Sequence, residues 1–549
     1  MWVGASSLLL AACSDHPMAP RPVPLPVCAA GRGFQVALAV DSFVSVDPIR
    51  DSGCIIFPAN ASAIDSVEYL LVPQSAAGTF GVSSSFQLLG DTIHPPAAAL
   101  VASLSPPALS VAQQFHAFLR RGERLHWYGF APQEAPPPAA LPALTLTGPP
   151  PTGDVRAFSV CSKIDCSTFK TVNATAKVVR GHMALYVDNL APANGLNQAD
   201  LDTLTDLFNS RIYPLDTAAF GNVSDIDNNT VVIVLMTNVV NQLTPKNVCG
   251  GGYIAGFFLG ADLDPRFARD NRVNHGEIFY SIVADSAGVL SCIHSRTAAK
   301  QDVPITFTHE FQHMISFAEH VLFRPGQSEE GWLTEGLSKY AEELIGRSYL
   351  PGDSVTFVRY VKEDRYDAYQ YLSAPGNSPL LIELDQGTLA EIGASWLFVR
   401  YLVDQFGDSL PLKLNQTSKT GADNVTTQTG VGFDTLLARW ALANWVSDLA
   451  VPGFTAAPTL KYSSWNFRAT YAALNSSDPF RFPKPYPLVP TVSAGNLTDV
   501  TGVLYAGSGA YHRALQGPLA SGFQLQFGDG GANYLPASIV PRLTIIRIR

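Results

Sequence analysis

The chain has 549 residues, with 36 Lys and Arg against 46 Asp and Glu and a formal net charge of −10. Only 15% of residues are charged and the basic ones do not cluster, which excludes a surface built to read nucleic acid. At this length the chain exceeds one hydrophobic core and is read as three folded units.

Residues 1–20 read as an export signal. Trp2 to Ala12 is apolar, too short to span a bilayer, and ends Leu10-Ala11-Ala12-Cys13. That ending resembles a bacterial lipobox, which implies a lipidated Cys13 that anchors the protein in the cell envelope; Ser14 after it favours the outer membrane. The seven cysteines minus Cys13 leave an even set, as suits an oxidising compartment. Sequence order suggests Cys28 with Cys54, Cys161 with Cys166, and Cys249 with Cys292, one among the connectivities that such a set allows.

Residues 21–131 carry short runs rich in Val, Leu, Ile and aromatics, among them Phe34 to Val40, Cys54 to Phe57 and Val67 to Val72, punctuated by Gly, Pro and Ser. They predict a small N-terminal β-sandwich-like domain. The stretch 132–153, with triple prolines at 136–138 and 149–151, predicts a stiff linker.

The central unit spans 154–452. Asp225-Ile226-Asp227-Asn228-Asn229 opens like a calcium loop, but its sixth position is Thr230 instead of Gly and its twelfth is Met236 instead of Glu. It reads as a polar turn in preference to a structural Ca²⁺ site. The turn leads into Val231 to Met236, an unbroken apolar run that predicts a strand buried on both faces, and Glu277 to Val283 predicts another strand.

Asp302, with Pro304 two positions on, reads as the cap and first turn of a helix flanked by Phe307, Phe311, Met314, Ile315 and Phe317. On that helix His309-Glu310-Phe311-Gln312-His313 sets two imidazoles four residues apart on one face. Neutral imidazoles bind Zn²⁺ well, and adjacent turns of one helix fix two ligands with little ordering left to the metal. Glu310 stands at the edge of such a site, where it can take a proton from water without ligating. Arg324-Pro325-Gly326 ends the helix, and Ser328 with Glu329 and Glu330 opens a second one running to about Leu344, before Gly346. An antiparallel return brings Glu335 back towards the histidines as a third ligand.

His309-Glu310-x-x-His313 together with Trp332-Leu333-Thr334-Glu335-Gly336-Leu337 resembles the gluzincin metallopeptidases, in which the glutamate of a Trp-Leu-x-Glu-Gly helix completes a zinc site. The wording is similar to that of hyicolysin-like bacterial neutral peptidases. The likeness extends to Phe220-Gly221 with Asp225-Ile226-Asp227, to Gly252 through Gly256, to Glu277 through Tyr280 and to Trp396 through Leu402, and it covers neither end of the chain. It implies a gluzincin-type catalytic domain of mixed sheet, zinc-binding helices and helical lobe. It also implies one Zn²⁺ held by His309, His313 and Glu335, with Glu310 as general base, protein or peptide substrates, and the 277–283 strand along the cleft.

Two departures stand out. Where a thermolysin-like second helix carries an aspartate four residues after its ligand, this chain has Lys339; Glu342, two turns on from Glu335, is the same-face carboxylate and is assigned to orienting a ligand histidine. No histidine occurs between His320 and His512, so a donor for the oxyanion is sought among Tyr360, Tyr366, Tyr369 and Tyr371. His275, His294 and His320 read as ordinary surface or core residues.

Ala394 to Phe406, with Gly407 as its stop, and Phe433 to Leu449 predict helices of a lobe that closes the cleft. Residues 453–549 return to a β texture, ending in Leu543 to Ile548, and predict a second flanking β-sandwich-like domain. The whole reads as an α+β multidomain protein: a secreted, lipid-anchored zinc endopeptidase. The competing reading is a catalytically inactive cell-surface binding or adhesion protein on the same fold, against which the intact base and ligand set argue.

Overall fold

The computed structural model describes residues 28, 33–92, 108–132, 148–382, 387–531 and 533–549. The signal-like segment with Cys13, and most of the Pro-rich linker, lie outside the described residues.

The middle of the chain is built on a six-stranded mixed sheet in the order Gly256–Phe258, Ile278–Ser281, Val232–Met236, Met183–Asp188, Phe169–Arg180, Val155–Cys161. Val232–Met236 runs parallel to both neighbours and is buried at every position, which is why its sequence shows no alternation. Ile278–Ser281 is paired on both sides, so it has no free edge to offer a substrate. The free edge on that side belongs to Gly256–Phe258, which corrects the expectation that the 277–283 strand itself lines the cleft.

The helix that carries the histidines runs Arg296–Phe317 and begins before Asp302. Ser295 is its cap, its hydroxyl accepting the Ala298 N–H at 3.1 Å, and Pro304 sits inside the helix, where one backbone hydrogen bond is forgone. A π-helical turn, Ala318–Phe323, ends it, and the helix that carries Glu335 follows as Gly331–Arg347. Behind the latter packs Leu389–Phe406, closed by Gly407. The contact is close enough that a Cβ on Gly336 would meet the Ser395 carbonyl oxygen at 2.7 Å, so the glycine after Glu335 is a packing requirement. Trp332, Trp396 and Trp440 are fully buried in this helical lobe.

The two ends of the chain form one sandwich, not two flanking domains. One five-stranded sheet has the order Phe34–Gln35, Cys54–Phe57, Phe523–Gly528, Ser83–Gly90, Asp499–Tyr505; the other has Thr491–Ala494, His512–Gln516, Val67–Ser75, Pro541–Arg547, Phe43–Val46. Phe523–Gly528 is inserted between two N-terminal strands, and Pro541–Arg547 between two others. Neither end alone has a continuous sheet, and the shared core, in which Phe57 stacks on Phe523 at 4.3 Å, forms only when both are present. Two further segments depart from the expected boundaries. Val111–Leu125 is a helix that packs against the Glu335 helix, and Phe467–Ser477 is a helix of the lobe, its Tyr471 hydroxyl donating to the Arg365 carbonyl at 3.0 Å.

Disulfides join Cys28 to Cys54, Cys161 to Cys166 and Cys249 to Cys292, the pairing that sequence order suggests. No described helix is long and apolar enough to cross a membrane.

His512 lies where the chain ends meet, with Nδ1 2.7 Å from Thr491 Oγ1 and Nε2 2.9 Å from Ser493 Oγ. Burial pushes its imidazole down from 6.5 to about 4. Between those values the unfolded chain binds a proton that the folded one does not, so the sandwich loses stability as pH falls from about 6.5 towards about 4. Thermal unfolding followed over that window is expected to show a smaller loss in His512→Gln than in the wild type; equal losses would show that His512 does not contribute.

Candidate metal centre

His309 and His313 stand one turn apart with their Nε2 atoms 3.1 Å from each other. Glu335, from the second helix, places Oε2 3.4 Å from His309 Nε2 and Oε1 3.5 Å from His313 Nε2. Ligand atoms at the corners of a tetrahedron around a metal with bonds of about 2.0–2.1 Å are separated by roughly 3.3 Å. The separation of the two nitrogens and that of each from its nearer Glu335 oxygen all lie close to that value.

The outer nitrogen of each ring is held. His309 Nδ1 lies 2.8 Å from Glu342 Oε1, and His313 Nδ1 lies 3.1 Å from both Thr334 Oγ1 and Ser338 Oγ. The Ser338 hydroxyl lies against Gln312 Oε1 as well as His313, and with its proton on Nδ1 the His313 ring donates to these hydroxyls and turns its Nε2 lone pair towards His309 and Glu335. Glu335 Oε1 is buried and has no hydrogen-bond partner among the described residues. Two inward lone pairs and a carboxylate at tetrahedral spacing fit a metal ion.

Glu310 is 2% exposed and its Oε2 accepts the Phe258 N–H from the free-edge strand at 2.9 Å. Burial pushes its carboxyl above the usual range, with the positive fields of His309 and Arg120 pulling against it. Glu342 is shared: Lys339 Nζ lies 3.3 Å from its Oε1 and 3.3 Å from Asp364 Oδ1, so the lysine that replaces the expected aspartate supports the carboxylate holding His309.

A cleft of about 1010 Å³ opens onto these residues. Tyr360 and Tyr366 line it, whereas Tyr369 bonds the Lys484 backbone and Tyr371 stacks on Trp440 inside the lobe. His275, His294 and His320 lie off the cleft.

Sequence reasoning missed His116 and Arg120, both on the helix Val111–Leu125. The His116 ring sits 6.3 Å from that of His309, and burial pushes its imidazole down to about 4, so it is neutral near pH 7. Arg120 is buried with Nη2 3.0 Å from Glu123 Oε1 and Nε 3.9 Å from Glu335 Oε1. The available signal was the capping box of Ser110 and Gln113 ahead of an amphipathic run.

No family model matches this chain. Over 218 residues, 39% of this chain, it is 24% identical to the neutral metalloprotease ShpI of Staphylococcus hyicus, and the match covers 44% of that protein. The likeness is to a metallopeptidase. The chain spans less than half the length of this relative, and the kinship agrees with a His309, His313 and Glu335 group able to hold a metal.

Because Glu342 holds His309 from outside, Glu342→Gln is expected to weaken metal binding roughly 10–100-fold while leaving the fold intact. Competition with a chromophoric chelator reads the affinity directly. Wild-type affinity in the variant would mean that Glu342 serves Lys339 and not the ligand.

Proposed function

We propose that this chain is a zinc-dependent endopeptidase of the hyicolysin-like kind. The observation that carries the proposal is that a buried carboxylate, Glu310, lines the same cleft as His309 and Glu335, whose ligand atoms converge with that of His313 behind them. Two imidazoles and one carboxylate form a donor set that suits zinc. Zn²⁺ bound there supplies a Lewis acid that acidifies water and polarises the scissile carbonyl.

The protein's own groups do the rest. Glu310 accepts the proton of the attacking water and returns it to the departing amine. An extended peptide has a docking point on this edge at Gly256, the Phe258 N–H and carbonyl being already engaged by Glu310 and Arg120. Ile282 N–H donates to the Ala255 carbonyl across the sheet, so alternation turns Phe257 inward and Gly256 outward, towards the cleft. His116, neutral and facing His309, and the Arg120 guanidinium join the cleft-lining Tyr360 and Tyr366 as donors available to a developing oxyanion, in place of a downstream histidine. A backbone laid along a sheet edge can continue in both directions, which favours cleavage within chains. Export and anchoring through Cys13 belong to the proposal on sequence grounds.

The test uses the purified protein after zinc reconstitution. Glu310→Gln is expected to keep one zinc and lose about 10²–10⁴ in kcat on a protein substrate, whereas Glu335→Ala loses stoichiometric zinc. Full proteolysis by Glu310→Gln would remove the mechanism. A wild type that holds no zinc would favour the reading of an inactive binding protein.

A further inference from the structure

A second group of carboxylates lies off the cleft. Asp225 and Asp227 come from the turn before the buried strand Val232–Met236, and Glu277 from the residue just before Ile278–Ser281. One oxygen from each lies within 4.8 Å of the other two. Asp227 is 2% exposed and Glu277 1%.

The hydrogen bonds around these groups leave one of them incomplete. Asp227 accepts from the backbone and side chain of Asn229, Asp225 from the Thr230 N–H, and Glu277 Oε1 from the Ile226 N–H at 3.0 Å. Glu277 Oε2 is buried and makes no hydrogen bond of good geometry among the described residues, although the Ser224 hydroxyl is near enough to favour the charged carboxylate. Arg156, whose charge reaches Asp227, has its guanidinium on the Asn274 carbonyl at 2.9 Å. Burial pushes both Asp227 and Glu277 above the usual carboxylate range, and the negative charge of Asp227 adds to the effect on Glu277. Two nearly inaccessible carboxylates side by side are costly when both are charged, and either a proton or a cation between them relieves that cost.

We propose that Asp225, Asp227 and Glu277 bind a calcium ion, at a second metal site separate from the histidine centre. Calcium takes hard oxygen ligands at about 2.3–2.6 Å in a flexible geometry, and three carboxylates converging from a turn and a neighbouring strand offer such a set. Magnesium keeps several of its waters and is usually held by one or two carboxylates, so a set of three protein carboxylates suits calcium better. The linear calcium-loop pattern fails at its twelfth position because the third carboxylate comes from another strand. Bound calcium ties the 225–231 turn to the Glu277 end of its neighbour, where Ile233 N–H already donates to the Glu277 carbonyl at 2.7 Å.

Terbium luminescence with displacement by calcium, on the zinc-loaded full chain, tests the site, with thermal unfolding and zinc content measured in parallel. The expected result is one calcium per chain, with a Tm that rises with calcium concentration. Glu277→Gln and Asp225→Asn are each expected to weaken calcium binding about tenfold or more with zinc content unchanged. A wild type with neither calcium-displaced luminescence nor a calcium-dependent Tm overturns the site, as do both variants binding calcium like the wild type. Should Glu277→Gln fail to fold, the exposed Asp225→Asn decides alone.

Discussion

The register between two helices is the constraint on which the site depends. Thr334, Ser338 and Glu342 follow one another at intervals of one turn, and these three hold the outer nitrogens of His313 and His309 while their neighbour Glu335 faces the inner ones. One helix therefore supplies a ligand and every tether found for the other two. A slip of a single turn would remove all of them together. On its far side the same helix is pinned by Glu343, which is fully buried and receives the indole N–H groups of Trp396 at 3.1 Å and Trp465 at 2.8 Å as well as Arg347 and Arg400. A buried carboxylate with that many donors is satisfied, and removing it would leave buried cations and indoles unpaired. The helical lobe thus acts on the centre by fixing the position of Gly331–Arg347, not by touching the reacting groups.

What was legible in the sequence follows from how local the cause is. The spacing of His309 and His313, the return of Glu335 and the buried strand at 232–236 are set within a few turns of chain, and each is found. The start of the histidine helix was misplaced because Pro304 fits a first turn on propensity alone; the helix tolerates it in the interior, since Ser295 offers an earlier cap. The helix Val111–Leu125 was hidden by the β-like and Pro-rich texture on either side of it, although its capping residues were present.

The sandwich was illegible for a different reason. The runs at Cys54 to Phe57, Val67 to Val72 and Leu543 to Ile548 are strands, as their composition predicts. Their partners, however, are set by pairing across almost the whole chain, as between Leu543 and both Val46 and Pro73. Alternating apolar residues say which face is buried and nothing about which strand lies alongside. Two β-rich ends of a chain therefore look the same whether they make two sandwiches or share one.

That sharing changes what the N-terminal region can be. Read by itself it could be a spacer, a folding aid cut away later or a substrate-binding module. Removing it after folding would strip Cys54–Phe57 and Ser83–Gly90 from either side of Phe523–Gly528, and Val67–Ser75 and Phe43–Val46 from either side of Pro541–Arg547. It would also withdraw His116 and Arg120 from the cleft, leaving Glu335 without its nearby guanidinium. A segment whose loss bares both edges of two strands and strips charge from the candidate metal centre is an integral part of the folded body. The chain leaves the sandwich for the helix Val111–Leu125, beside the Glu335 helix, before residue 132 and returns to the sandwich only at Thr491, so both ends of the chain belong to one structure.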